Sequence, residues 1–199
     1  MPTSAQTNYS TEFWPELQFR FRAEDADTLI GRVQRNRNED SGSIYQVTVG
    51  AAFEHKFTEV IWARIGYEHS NASDGGDFFE NRLLAEQTFR MPLPSRIFAD
   101  FRTREDFRWL NTGYSMRFRE RIQVQRSTNI GSYTFTSYFS AEVYFDTRYD
   151  QFARYRLITG AVFPMDTHFS FEPYYAHQVD FVGNGSIVDA VGLRLTTSF

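Results

Sequence analysis

Val191-Gly192-Leu193-Arg194-Leu195-Thr196-Thr197-Ser198-Phe199 alternates from end to end. Successive side chains of a strand point to opposite sides, so Val191, Leu193, Leu195, Thr197 and Phe199 share one face. Gly192, Arg194, Thr196 and Ser198 share the other. The same period of two returns along the chain. Leu17, Phe19 and Phe21 oppose Gln18, Arg20 and Arg22; Ile61, Ala63, Ile65 and Tyr67 oppose Trp62, Arg64 and Glu68; Phe135, Phe139, Val143 and Phe145 oppose Thr136, Ser140 and Glu142. Strands of this kind have one apolar and one strongly polar face. What decides the fold is which face is enclosed.

Eleven such segments are read near residues 13–23, 28–37, 43–54, 59–69, 79–90, 96–107, 114–125, 133–145, 151–163, 168–179 and 187–199. Short connections at 23–27, 55–58, 91–95 and 164–167 alternate with longer polar ones at 36–43, 70–77, 108–113, 146–150 and 180–186. The stretch 126–132 is longer than its place in that alternation predicts. Short turns on one side and longer loops on the other mark a membrane barrel, whose apolar faces meet lipid and whose polar faces meet the interior. The expected fold is therefore all-β: a single antiparallel transmembrane up-and-down β-barrel over 13–199, with 1–12 as an N-terminal extension. An even strand total is the rule for bacterial single-chain barrels. A further strand at 5–14, before Pro15, gives twelve, the expected count; merging two segments gives ten instead.

Composition favours enclosure of the polar face. Of the 21 Lys plus Arg, Lys56 is the single lysine. Arginine's planar fork and weak hydration suit crowded, partly buried ion pairs, whereas a soluble surface draws on both residue types. No run approaches the roughly 20 apolar residues of a helical span. Phe and Tyr are abundant, at 21 and 11, as strands and interfacial girdles require. A net charge of -4 carries no nucleic-acid footprint, and the absence of Cys excludes disulfides and thiol chemistry. No cofactor is expected. The terminal Phe199, with Leu195 and Leu193 behind it on one face, resembles the export signal of bacterial outer-membrane barrels, read by the barrel assembly machinery during insertion. The expected location is the bacterial outer membrane of a Gram-negative envelope, in contact with its lipid. No apolar targeting segment follows Met1, so export implies a signal peptide removed before this chain begins.

Closing the hairpins 96–107/114–125 and 133–145/151–163 about their loop centres sketches the interior. Asp100 falls opposite Arg121, Arg102 opposite Arg119, Arg104 opposite Arg117, and Glu142 between Arg154 and Arg156. Glu80 and Glu86 lie near Arg102 and Arg104, and Glu172 near Arg156. This charged lining reads as a salt-bridge network that fills a narrow lumen, or as an electrostatic filter for small anions. Lumen width decides, since about 8 strands are plugged by side chains and 16 leave a channel.

Two places resist the alternation. Glu120 shares the apolar face with Met116, Phe118 and Ile122, which a bulge there would resolve; residues 28–37 fit neither phase. His168-Phe169-Ser170-Phe171-Glu172 aligns His168, Ser170 and Glu172 on one face, a spacing that resembles the catalytic strand of outer-membrane lipid hydrolases. In those enzymes the residues sit on the lipid side, whereas here the trio points inward, so no catalytic residue is assigned. His55, His69 and His177 form no ligand spacing, and no metal is expected. Trp14, Trp62, Tyr67, Trp109, Tyr114, Tyr174 and Tyr175 are candidates for interfacial girdles.

Phe13-Trp14-Pro15-Glu16-Leu17, Phe101-Arg102-Thr103-Arg104, Met116-Arg117-Phe118-Arg119, Ser140-Ala141-Glu142-Val143-Tyr144-Phe145, Arg154-Tyr155-Arg156 followed by Gly160, and Glu172-Pro173-Tyr174-Tyr175 resemble, in that order, the blocks of an uncharacterised outer-membrane barrel family catalogued as domain of unknown function 2490. The likeness covers most of residues 13–199. It implies an outer-membrane barrel with Arg and Glu inside and brings no activity. The expected function is non-enzymatic: a porin-like barrel that is structural or passes small anionic solutes. Partner binding through the longer loops is the alternative, lipid hydrolysis a distant third, and a soluble barrel with its apolar face inside the architectural alternative.

Overall fold

The computed structural model describes residues 8–38, 44–73, 76–183 and 185–199. Eleven strands follow one another: β1 Asn8–Arg22, β2 Asp27–Asn38, β3 Ile44–Lys56, β4 Ile61–Ala72, β5 Phe79–Leu93, β6 Ile97–Leu110, β7 Gly113–Ile130, β8 Tyr133–Asp146, β9 Gln151–Pro164, β10 Phe169–Asp180 and β11 Ser186–Ser198. Each pairs with its sequence neighbours, and β1 pairs with β11 to close the barrel. Consecutive strands are antiparallel, whereas β1 and β11 run parallel, from Asn8↔Ser186 to Arg20↔Ser198. An up-and-down walk with an odd number of strands brings its first and last strands together in the same direction. The count among the described residues is thus eleven, between the ten and twelve read from the sequence. Residues 8–14, read as part of a twelfth strand and in part as an N-terminal extension, are the first half of β1, which runs unbroken through Pro15; residues 1–7 lie outside the described residues.

Polarity is inverted relative to a soluble barrel. Ile65, Ile122 and Phe139 on the outer face are 62%, 52% and 51% exposed, while Asp106 and Asp146 inside are 0% exposed and Glu68 is 4%. That distribution is the reverse of the soluble alternative's, which places the apolar face inside. In water the outer face would leave most of its apolar area unburied and contribute little stability.

Two connections read as longer loops are tight hairpins. β6 and β7 extend to Leu110↔Gly113, leaving Asn111 and Thr112 as the turn. β7 and β8 extend to Ile130↔Tyr133 around Gly131 and Ser132, with Gly131 at φ 62° supplying the left-handed backbone that a two-residue hairpin favours. The irregular stretch 126–132 is therefore mostly strand. No bulge occurs at Glu120: the β6–β7 register is continuous, Glu120 faces outward opposite Thr103, and the Thr103 hydroxyl donates to its Oε2 at 2.9 Å. Residues 28–37 do have a phase. Arg20↔Ile30 and Glu16↔Gln34 place Thr28, Ile30, Arg32, Gln34 and Asn36 inside, and Leu29, Gly31, Val33, Arg35 and Arg37 outside. The pattern is blurred because Ile30 is an apolar residue facing in and Arg35 and Arg37 are cations facing out.

A small apolar cluster fills the interior beside the β1–β11 seam: Trp14, Tyr174, Ala176, Val188 and Ala190. Tyr174 lies flat on Gly192, where an added Cβ would sit 1.9 Å from its Cζ. A strand glycine here makes room for an aromatic ring from the neighbouring strand.

Candidate functional site

Most of the interior ion pairs form one connected set, with Arg90–Asp100 and Arg154–Asp180 standing apart from it. Arg20 meets Glu54 at 2.7 Å, Glu54 meets Arg64, and Arg64 meets Glu86 at 3.4 Å. Glu86 meets Arg102 at 3.3 Å, Arg102 meets Glu142, and Glu142 meets Arg119 at 3.0 Å. The path continues through Arg119–Asp106 at 3.5 Å, Asp106–Arg104 at 2.7 Å, Arg104–Glu68 at 3.4 Å and Glu68–Arg32 at 3.1 Å. It ends through Arg32–Glu16 at 3.9 Å, Glu16–Arg194 at 2.8 Å and Arg194–Glu172 at 2.9 Å. A branch from Glu68 runs through Arg82, Glu80, Arg108 and Asp146 to Arg117. Long guanidinium side chains alternate with carboxylates around the lumen, and each carboxylate but the terminal Glu172 bridges arginines from different strands. Such pairs gain Coulomb energy against a heavy desolvation cost, so their clearest consequence is a specified register.

All twelve expected lumen residues face inward, but several partners differ. The two-residue turn at Asn111–Thr112 shifts the β6–β7 register by two, so Asp100 faces Gln123, Arg102 faces Arg121 and Arg104 faces Arg119. Asp100 is held instead by Arg90, whose Nε and Nη2 both donate to it at 2.7 Å. Glu86 reaches Arg102 as expected and Arg104 at 3.9 Å, but Glu80 pairs with Arg82 and Arg108. Glu142 sits directly across from Arg156 yet bonds to Arg119 and Arg102. Arg154 pairs with Asp180 at 2.5 Å and Arg156 with the amide of Gln178. Glu172 accepts from Arg194 and from the Tyr138 hydroxyl rather than Arg156. Arg121 has no carboxylate within ion-pair distance among the described residues, and its Nε is buried without a hydrogen-bond partner.

The sequence reading missed much of the network: Glu16, Arg32, Glu54, Arg82, Asp106, Arg108, Asp146 and Arg194 all belong to it, and Arg90 forms a separate pair with Asp100. Their signal was present, since each alternates with outward residues, but the sketch was confined to two hairpins. The aromatic candidates divide. Tyr67, Trp109, Tyr114 and Tyr175 face out, Trp109 and Tyr114 at the loop-side ends of β6 and β7 and Tyr67 and Tyr175 midway along β4 and β10. Trp14, Trp62 and Tyr174 face in, Trp14 donating Nε1 to Glu12 and Trp62 lying under Arg90 at 5.0 Å.

The inward trio assembles no relay. His168 stands in the turn before β10 with Nδ1 at 2.8 Å from the Ser198 carbonyl, and Glu172 is occupied by Arg194. The other histidines face outward in separate places, each against one neighbouring strand: His55 on Asp27, His69 on Asn81, and His177 on Asp189. Phe199 stacks on Phe21 with centroids 5.0 Å apart, and its backbone closes a pair of hydrogen bonds with Arg20 and Arg22. Leu193 and Leu195 share its outer face.

The loop-side mouth holds an open cup of about 410 Å³. Ser10, Glu12 and Trp14 of β1 line it with Asn36, Tyr45, Gln46, Arg154, Arg156, Gln178, Asp180, Ser186 and Val188. These residues come from six neighbouring strands around the seam, β9, β10, β11, β1, β2 and β3, so no single stretch of sequence announces the cup.

Among solved structures, a bacterial polysaccharide outer membrane secretin superposes with a TM-score of 0.55 at 10% identity; the match covers 79% of this chain and only 59% of that one. LpxR from Salmonella typhimurium superposes with a TM-score of 0.55 at 7% identity, covering 86% of this chain and 83% of that one. At such identities the likeness shows the barrel fold and nothing finer. No curated protein sequence matches. The family model described as protein of unknown function (DUF2490) matches residues 10–188. An inverted barrel whose ordered blocks of Arg and Glu line its interior, matched over nearly its whole length, is a member of the DUF2490 family.

Proposed function

We propose that this chain is a sealed outer-membrane barrel, its apolar wall solvated by outer-membrane lipid and its interior holding that wall together rather than passing solute. The observation that carries this reading is the unbroken ion-pair path across the lumen. Its members Arg102, Arg104, Glu86, Glu142 and Asp106 have side chains no more than 9% exposed. Eleven strands lie nearer the eight-stranded barrels filled by side chains than the porins of 16–18 strands with aqueous channels. Arginines reaching toward the centre fill the difference. The longest connection, 73–78, leaves little surface for partner binding through loops.

Planar bilayers test the reading. The unaltered protein is expected to be silent, and Arg102→Ala combined with Glu142→Ala to introduce a leak. Regular single-channel steps from the unaltered protein that vanish on substitution of Arg102 and Arg119 would instead establish anion passage. Membrane residence is tested separately: heat-modifiable gel migration and a requirement for detergent are expected, and a monodisperse protein in plain buffer would refute it. The face of Leu193, Leu195 and Phe199 is offered to the assembly machinery, so Phe199→Ala is expected to slow insertion without altering the folded barrel.

A further inference from the structure

We propose that the loop-side cup binds a small hydroxyl-rich monoanion, of the size and chemistry of a single sugar acid. Two independent observations meet there. The first is the cavity, about 410 Å³ and polar over most of its lining, within the size range of small-molecule sites. The second is the state of Arg156 on its wall.

Most interior arginines form ion pairs with carboxylates; Arg156, like Arg121, has none within ion-pair distance among the described residues, and Glu142 across from it bonds to Arg119 and Arg102 instead. Its Nε and Nη2 donate to the neutral Oε1 of Gln178 at 3.0 and 2.5 Å, and its guanidinium lies 5.0 Å from the Trp14 ring centroid and 5.7 Å from that of Tyr144. The amide and the two rings fix the plane of the group without neutralising it. Nη1 makes no hydrogen bond among the described residues, so the guanidinium keeps an edge for a carboxylate. The neighbouring Arg154 is not equivalent, being engaged by Asp180 at 2.5 Å. Arg121, which also has no carboxylate within ion-pair distance among the described residues, is not part of the cup lining.

The rest of the lining reads hydroxyl groups. Ser10, Asn36, Gln46 and Ser186 present short donors and acceptors around the cavity. Glu12, accepting from Trp14 Nε1 and from the Tyr45 hydroxyl at 2.6 Å, holds a fixed negative charge in the same lining, and Asp180 a second. Those two carboxylates already offset the charges of Arg154 and Arg156 in the lining and repel further negative charge, which favours a monoanion over a phosphate dianion. The cup is bounded by the strand mouth, so the ligand enters from the loop side without crossing the ion-pair layer.

Titrating detergent-solubilised full chain with glucuronate, glucose and glucose 6-phosphate, read by tryptophan emission and calorimetry, tests this. Glucuronate is expected to bind saturably, at least tenfold more tightly than either comparison ligand. Arg156→Gln should weaken it at least tenfold while keeping wild-type heat-modifiable migration, and Arg156→Lys should recover part of the loss. Equal binding of glucose refutes the role of the cation, and tighter binding of glucose 6-phosphate refutes the monoanion. No saturable binding into the millimolar range, or an unchanged Arg156→Gln, overturns the site. Conductance is a separate readout, so a leaking barrel and an empty cup are distinguishable failures.

Discussion

Glu142→Gln removes one charge from the centre of the interior, and the structure sets the size of the effect. The Glu142 side chain is 4% exposed. It accepts from Arg119 Nε at 3.0 Å and Nη2 at 3.2 Å, from the Tyr144 hydroxyl at 2.7 Å, and from Arg102. Removing one partner of a buried pair costs about 3–5 kcal/mol, because the other charge is left uncompensated. Here neither guanidinium is stranded: Arg102 keeps Glu86 at 3.3 Å and Arg119 keeps Asp106 at 3.5 Å. The expected loss is therefore at the low end, about 3 kcal/mol, or roughly a hundredfold in the folded-to-unfolded ratio. Equilibrium urea unfolding in lipid vesicles measures it. The double substitution Arg119→Gln with Glu142→Gln should cost less than the sum of the two singles, since it removes both charges of a contacting pair. As a surface reference, Glu59→Gln breaks an exposed pair with Lys56 and should shift stability by less than about 1 kcal/mol. A wild-type unfolding midpoint for Glu142→Gln would show that the network does not hold the wall, and the case for a sealed interior would fall with it.

Glu120→Leu should stabilise the barrel in lipid by about 1–2 kcal/mol, because a carboxylate among Phe118 and Ile122 on the outer face is costly there; a destabilised variant in the same unfolding assay would contradict lipid contact at that face. Gly192→Ala should cost about 1–3 kcal/mol by displacing the Tyr174 ring, and much of that cost should vanish in the Tyr174→Ala background. Additive losses would mean the ring does not lie on Gly192. In the β9–β10 turn, the backbone N–H groups of His168 and Phe169 donate to Asp166 at 2.7 and 2.8 Å and hold its carboxyl below the usual value of 3.8. The stabilisation is present above that usual value and is lost as pH falls through the lower folded one. An NMR titration of Asp166 with a midpoint at or above 3.8 would be inconsistent with these bonds.

Most of the wall was legible from local pattern. Where strict alternation holds, as in β4 and β11, the sequence reading and the structure agree on both faces. It blurred in β2 because Ile30 faces in and Arg35 and Arg37 face out, each opposite to the local rule. Turn length was harder to read: Asn111-Thr112 and Gly131-Ser132 close hairpins in two residues, though the polar residues around them suggest longer loops. A register error of two keeps every side chain on its face, since the side-chain period is two. That is why the twelve residues stay on one face under the two-residue shift while the residues opposite Asp100, Arg102 and Arg104 change.

The chain's alternation and its near-exclusive use of arginine determined by themselves that greasy side chains face out and charges face in, because facing is a property of one strand and its period. Pairing is a property of two strands or more. Which carboxylate meets which guanidinium, the parallel closure of β1 on β11, and the meeting of Arg156, Trp14 and Gln178 at the mouth depend on register and curvature accumulated around the whole barrel. Only the closed tertiary structure decided them.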